Sequence, residues 1–249
     1  MSNARTRTNE SLDVSVRGHW VRVRVEGEGE PLLLLSGLTR PLSGWDPFIE
    51  ALGDRTVVTF DAPGVGESPA PIVPLSIAQL ADLTLAVLDE IGLDRVDVLG
   101  YSHGGAVAQQ LAAHHPRRVR RLVLAATSCG VGSTLAGWDA HEGASTLMDG
   151  VFGTNVLSTW WRAVAVSTWS SIPFLGAIAA PTLVVCGSED RVTPLANSQV
   201  LAGRIPNATL VELLQGHDLQ QPEAAERFAR VVEEFLALEP SGIGEHADL

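Results

Sequence analysis

Gly100-Tyr101-Ser102-His103-Gly104 lies between two stretches of opposite character. Before it runs an apolar, β-branched segment with Val96, Val98 and Leu99, and after it Ala106 to Ala113 favours a helix that must stop before Pro116. A strand that turns this sharply into a helix holds its middle residue in a strained backbone conformation, which only glycine-sized neighbours accommodate. The Ser102 hydroxyl is then exposed at the turn. The helix beginning there aims backbone N–H groups and its positive dipole end at the same point, where negative charge develops during acyl transfer.

Outward from this turn, apolar strand candidates recur at Leu32 to Leu35, Thr56 to Phe60, Leu122 to Ala126, Thr182 to Gly187 and Thr209 to Leu213, with helical stretches between them. Such alternation predicts an α/β fold around a mostly parallel twisted sheet with helices on both faces. The chain opens differently: Val14 to Val16 and the alternating Val21, Val23, Val25 predict an antiparallel hairpin turning at Gly18-His19. Ser76 can cap a helix whose apolar face is Leu80, Leu83, Val87 and Ile91, and Pro222 opens another with Ala225, Phe228, Val232 and Phe235 inward. The alternation breaks from Gly130 to about Leu175, a segment with four of the six tryptophans, Trp138, Trp160, Trp161 and Trp169. The expectation is one domain, with its core at about 12–129 and 176–238, a short cap inserted at about 130–175, and a polar, disordered tail at 239–249.

Composition narrows the chemistry. The 249 residues are 45% hydrophobic, enough for a sizeable core, and carry a formal charge of −12. That charge argues against nucleic acid or anionic lipid as a partner; the basic cluster Arg117 to Arg121 is expected on a solvated turn. All 17 basic residues counted as Lys+Arg are arginines, which excludes Schiff-base, P-loop and kinase-type lysine chemistry. Cys129 and Cys186 read as small buried thiols. A polar start without an apolar signal region, and no long apolar run, predict a cytoplasmic protein with no membrane association. The histidines lack paired ligand spacing, so neither a metal nor a cofactor is expected.

A serine alcohol needs a histidine base and a carboxylate to orient it. Asp190 follows the strand Leu183 to Cys186, and His217 follows the strand Thr209 to Leu213, so the order along the chain is Ser102, Asp190, His217. Glu189 is the rival acid, and Asp218 could pair locally with His217; position favours Asp190. A second backbone donor for a developing oxyanion would come from Ser36-Gly37-Leu38 after the third strand, giving the N–H groups of Leu38 and His103 as the expected pair. The His103 imidazole is read as packing or contacting substrate, not as a base.

Together with Phe60-Asp61-Ala62-Pro63-Gly64-Val65-Gly66-Glu67-Ser68, which matches a characteristic loop after strand four, these motifs make the chain resemble the α/β-hydrolase family over nearly its whole length. The family's triad falls on Ser102, Asp190 and His217, while its frequent His-Gly pair before the oxyanion donor is Ser36-Gly37 here. Gly100 to Gly105, Leu122 to Thr127 and Pro181 through His217 look similar to intracellular medium-chain polyhydroxyalkanoate depolymerases and related esterases. The resemblance implies hydrolysis of a small carboxylic ester, lactone or thioester with a hydrophobic moiety, and Trp138, Trp160 and Trp161 are expected to wall its pocket. Perhydrolysis, acyl transfer and carbon–carbon bond hydrolysis remain open on the same triad, as does a ligand receptor that uses the fold only as a pocket. Ser102 excludes chemistry based on an aspartate nucleophile.

Overall fold

Leu33 and Leu35 face one side of the central strand while Leu32 and Leu34 face the other, and all four are buried, in two different clusters. A strand buried on both faces needs helices on both. The computed structural model, which describes residues 9–133, 139 and 155–238, supplies them. Among the described residues the sheet has eight strands: β1 (Asn9–Val16), β2 (His19–Glu26), β3 (Pro31–Leu35), β4 (Thr56–Phe60), β5 (Val96–Tyr101), β6 (Val119–Ala125), β7 (Thr182–Gly187) and β8 (Ala208–Leu213). They lie in the order β1-β2-β4-β3-β5-β6-β7-β8. β1 and β2, and β2 and β4, pair antiparallel; every later pair is parallel.

Helices α2 (Ile77–Glu90), α3 (His103–His114) and α5 (Leu195–Arg204) bury their apolar faces with Leu33, Leu35, Val98 and Val184. Helices α1 (Asp46–Ala51) and α6 (Pro222–Ala237) cover the opposite face, where Phe48, Phe228 and Val232 meet Leu32, Leu34 and Leu99. Ser76 caps α2 as its sequence predicts, in a reciprocal box: its hydroxyl accepts from the Gln79 N–H at 3.2 Å and its own N–H donates to Gln79 Oε1 at 2.9 Å. α6 opens at Pro222 with Ala225, Phe228, Val232 and Phe235 buried.

Two expectations need correction. The hairpin turns at Arg17-Gly18, one residue earlier than read from the sequence, because both residues adopt positive φ (50° and 80°) and Val16 pairs with His19. A two-residue turn of that type matches the right-handed twist of its strands. The arginine cluster sits on a solvated turn only in its first half, Arg117 and Arg118. β6 starts at Val119, so Arg120 and Arg121 ride a strand beside fully buried Asp97 of β5, and Arg118 is tied to Asp89 at 2.6 Å.

The chain leaves and rejoins the core where Gly130 and Ser170 form an antiparallel bridge, with the Ser171 N–H donating to the Cys129 carbonyl at 3.0 Å. Helix α4 (Val156–Ser167) lies between them in sequence. Trp169 packs near Phe174 and donates from Nε1 to Gln110 Oε1 at 3.0 Å, so it seals this segment onto α3. Cys129 and Cys186 are buried free thiols. Trp138 and the tail 239–249 fall outside the described residues. Among the described residues no helix is long and apolar enough to cross a membrane.

Candidate active site

β5 ends at Tyr101 and α3 begins at His103, which leaves Ser102 alone in the turn with φ 52° and ψ −117°. That backbone is strained for a residue with a side chain, and its neighbours show what holds it. A Cβ on Gly104 would lie 2.1 Å from the Leu35 carbonyl oxygen, and one on Gly100 2.6 Å from the Cβ of Ala108. Glycine at both places lets α3 press against the ends of β3 and β5. The Thr127 hydroxyl donates to the Ser102 carbonyl at 2.7 Å, and the Ser102 N–H donates to the Ala125 carbonyl at 2.9 Å.

The loops after β7 and β8 reach this turn. His217 Nε2 lies 3.2 Å from Ser102 Oγ, and His217 Nδ1 lies 2.8 Å from Asp190 Oδ2. The Asp190 side chain is wholly buried and its other oxygen, Oδ1, accepts from the N–H groups of Val192 (2.8 Å) and Thr193 (2.7 Å). With no donor of its own, the carboxylate selects the imidazole tautomer that carries hydrogen on Nδ1, which leaves the Nε2 lone pair facing the serine hydroxyl. Glu189 is exposed, and Asp218 turns away from the imidazole. Its Oδ1 accepts from the Tyr101 hydroxyl at 2.9 Å and pairs with Arg40 at 2.7 Å. Tyr101 also donates to the His217 carbonyl at 3.2 Å and packs its ring 5.3 Å from the imidazole. Burial and the Asp218 charge push its phenol well above the ordinary range, so it stays a donor. Arg40, Asp218 and Tyr101 thus bind the loop after β3, the histidine loop and the serine turn into one unit.

Among the described residues, neither the Leu38 nor the His103 backbone N–H has a hydrogen-bond acceptor. Ser36, where the family often has histidine, accepts from Trp45 Nε1 at 2.9 Å. The His103 side chain is buried, and burial together with the nearby Arg162 charge holds its pKa well below 6.5, so it is neutral. Asp61 of the Phe60 to Ser68 loop is buried too and accepts from the N–H groups of Leu42 and Glu67, fastening two loops together. Trp160 and Trp161 stand edge to face on α4 with centroids 4.7 Å apart, Trp160 being 55% exposed. No group of three His, Cys, Asp or Glu side chains that could hold a metal occurs among the described residues. Sequence reasoning missed Arg162, a buried cation on α4 that donates to the Leu38 carbonyl at 2.5 Å. Its signal was its isolation, since residues 150–188 contain no other charged side chain.

Comparison with known proteins identifies the fold family. Residues 30–157 match the alpha/beta hydrolase fold family. The chain is 36% identical over 241 residues to a poly(3-hydroxyalkanoate) depolymerase of Ectopseudomonas oleovorans, covering 84% of this chain and 85% of that one. It is 31% identical over 263 aligned positions to a 2-hydroxymuconate semialdehyde hydrolase of Pseudomonas putida, covering 90% and 93%. Among solved structures it is similar to the enol-lactonase from Burkholderia xenovorans LB400, with a TM-score of 0.79, 26% identity, and coverage of 91% and 100%. Strand order, strained serine turn and sequence match agree, and the chain belongs to the α/β-hydrolase fold family.

Proposed function

We propose that the protein is a serine hydrolase that cleaves a carboxylic ester with a hydrophobic moiety through an acyl-enzyme. The observation that carries this reading is the continuous hydrogen-bonded path from Ser102 through His217 to buried Asp190, at 3.2 and 2.8 Å. Ser102 Oγ attacks the ester carbonyl while His217 Nε2 takes its proton, and Asp190 steadies the imidazolium. The Leu38 and His103 N–H groups donate to the negative oxygen of the tetrahedral intermediate. Collapse expels the alcohol, which receives the proton from His217. Water then attacks the acyl-serine with the same histidine as base and releases the acid. Trp160 and Trp161 serve as walls for the hydrophobic part of the substrate.

The depolymerase relative, by name an enzyme acting on a polyester, favours an ester as the electrophile. The 2-hydroxymuconate semialdehyde hydrolase relative supports a second reading, carbon–carbon bond hydrolysis on the same triad. The test is intact-mass spectrometry after a fluorophosphonate, beside hydrolysis of p-nitrophenyl esters of increasing chain length, with wild type and Ser102→Ala. Labelling and turnover that both vanish in Ser102→Ala support the ester reading, and the chain-length optimum gauges the acyl pocket. Labelling without ester turnover moves the assignment to the carbon–carbon reading. Neither labelling nor turnover leaves a receptor that uses the fold as a pocket.

A further inference from the structure

Arg162 is a buried charged group beside the Leu38 loop that the proposed mechanism leaves without a task. It is only 6% exposed, and no carboxylate lies within ion-pairing distance of it among the described residues. A buried guanidinium without a counter-ion is costly unless its N–H groups are taken up. Burial lowers its pKa to about 10 while the Asp61 charge, beyond ion-pairing distance, opposes the fall, so it remains a cation near neutral pH.

Its partners are specific. One terminal nitrogen donates to the Leu38 carbonyl at 2.5 Å; the other lies 3.4 Å from the Gly37 carbonyl and 3.4 Å from His103 Nδ1. These carbonyls flank the Cα of Leu38. In a trans peptide the C=O and the N–H point in opposite directions, so drawing the Gly37 carbonyl toward Arg162 turns the Leu38 N–H away from it. Gripping the Leu38 carbonyl as well fixes that residue from both sides. The same guanidinium rests on the side chain of His103, whose backbone N–H is the other expected oxyanion donor. Arg162 does this from behind the loop: the adjoining cavity, of about 20 Å³ and room for roughly one water, is lined by Ser36, Arg40, Thr84, His103 and Arg162 among others, and by neither Ser102 nor His217.

We propose that Arg162 is the positioning residue of the oxyanion hole, holding the Gly37–Leu38 backbone and His103 from α4 so that both N–H groups stay aimed at the substrate oxygen. This inference rests on the ester-hydrolase reading. It makes catalysis depend on the seating of α4, since the brace comes from a segment inserted between core strands β6 and β7.

Arg162→Met keeps the length of the side chain and removes its donors. Loss of a whole oxyanion donor costs about 100- to 1,000-fold in kcat, so a misaimed one should cost about 10- to 100-fold. The expected result with p-nitrophenyl butyrate is that fall in kcat with KM within about two-fold of wild type. The affinity for a trifluoromethyl ketone, whose hemiketal oxygen needs the same N–H groups, should fall by the same factor. Arg162→Lys should recover part of both, and it carries the test if the Met variant does not fold. An unchanged kcat with a raised KM overturns the proposal by making Arg162 a substrate contact. So does a crystal structure of either variant in which kcat has fallen but the Gly37–Leu38 peptide keeps its orientation. An inactive wild type would instead defeat the ester reading on which this one stands, an outcome seen before any variant is made.

Discussion

Strand β5 carries polar chemistry at both ends, and the two ends are built differently. Asp97, its second residue, is fully buried, yet its carboxylate is saturated: Arg120 grips both oxygens at 2.8 Å, Arg55 lies at 3.2 Å and Arg121 at 3.9 Å. Glu30 adds a further carboxylate to Arg120. At the other end, about 17 Å along the strand at a rise of roughly 3.3 Å per residue, Ser102 sits among groups left open. Among the described residues the Leu38 and His103 N–H groups lack acceptors and Arg162 Nε and His103 Nε2 are buried without partners, whereas at the Asp97 end only Arg121 Nε is. A closed network ties β5 to its neighbours and leaves few donors to spare, although burial still outweighs the arginines and pushes Asp97 up to about 6. An open one forgoes some stability and leaves donors ready for a charge that arrives only with the reaction.

Breaking one member at each end should therefore give opposite signatures. The largest expected effect is at the open end. Asp190→Asn replaces an acceptor by a donor, which disfavours the His217 tautomer that can receive the serine proton. Triads of this kind lose about 10,000-fold in kcat on that change, while the thermal midpoint should move little, because the Asn oxygen can still accept from Val192 and Thr193. Steady-state ester hydrolysis checks it, and an unaffected rate would transfer the acid's role elsewhere.

At the closed end the effect should appear in stability. Asp97→Ala leaves Arg120 and Arg121 without their buried partner, and removing one member of a buried charged network typically costs about 3–5 kcal/mol. Urea unfolding should show that loss while kcat per folded molecule stays within about two-fold of wild type. A large fall in kcat in the folded variant would mean that the two ends are coupled along β5, and the contrast between them would collapse.

How much of this contrast could be read from the sequence depended on the range of the determining interactions. Ser102, Asp190 and His217 each follow an apolar strand, so local pattern places them at one edge of a parallel sheet, and the structure brings them together. Thr56–Phe60 and Thr182–Gly187 carry their own boundaries, since β-branched runs end at turn-forming residues. The arginine cluster misled because β6 begins with Val119-Arg120-Arg121, charged residues that belong to a strand only because Asp97 waits on the neighbouring one. The hairpin turn was misplaced by one residue because Arg17 takes positive φ, which a glycine-centred reading assigns to Gly18 and its successor. The isolation of Arg162 in an uncharged stretch marked it but gave it no role, because its partners are carbonyls more than a hundred positions away.

His103 offers the smallest effect and the finest test of the contrast, because its backbone belongs to the open end while its side chain is shut inside the protein. The folded state keeps the imidazole neutral through burial and the Arg162 charge, so its pKa lies well below 6.5; in the unfolded chain it takes up a proton near pH 6.5. The sign follows. The stability associated with the neutral ring is fully present above pH 6.5 and is lost as the pH falls, by up to about 1.4 kcal/mol per pH unit. His103→Gln keeps a donor, an acceptor and the backbone N–H but cannot titrate, so the drop in urea stability between pH 7 and pH 5.5 should shrink by about 1–1.5 kcal/mol. An undiminished drop would place the acid sensitivity on other groups. It would also mean that Arg162 tolerates a protonated imidazole beside it, which two buried cations can do only if water or the Asp61 charge offsets them.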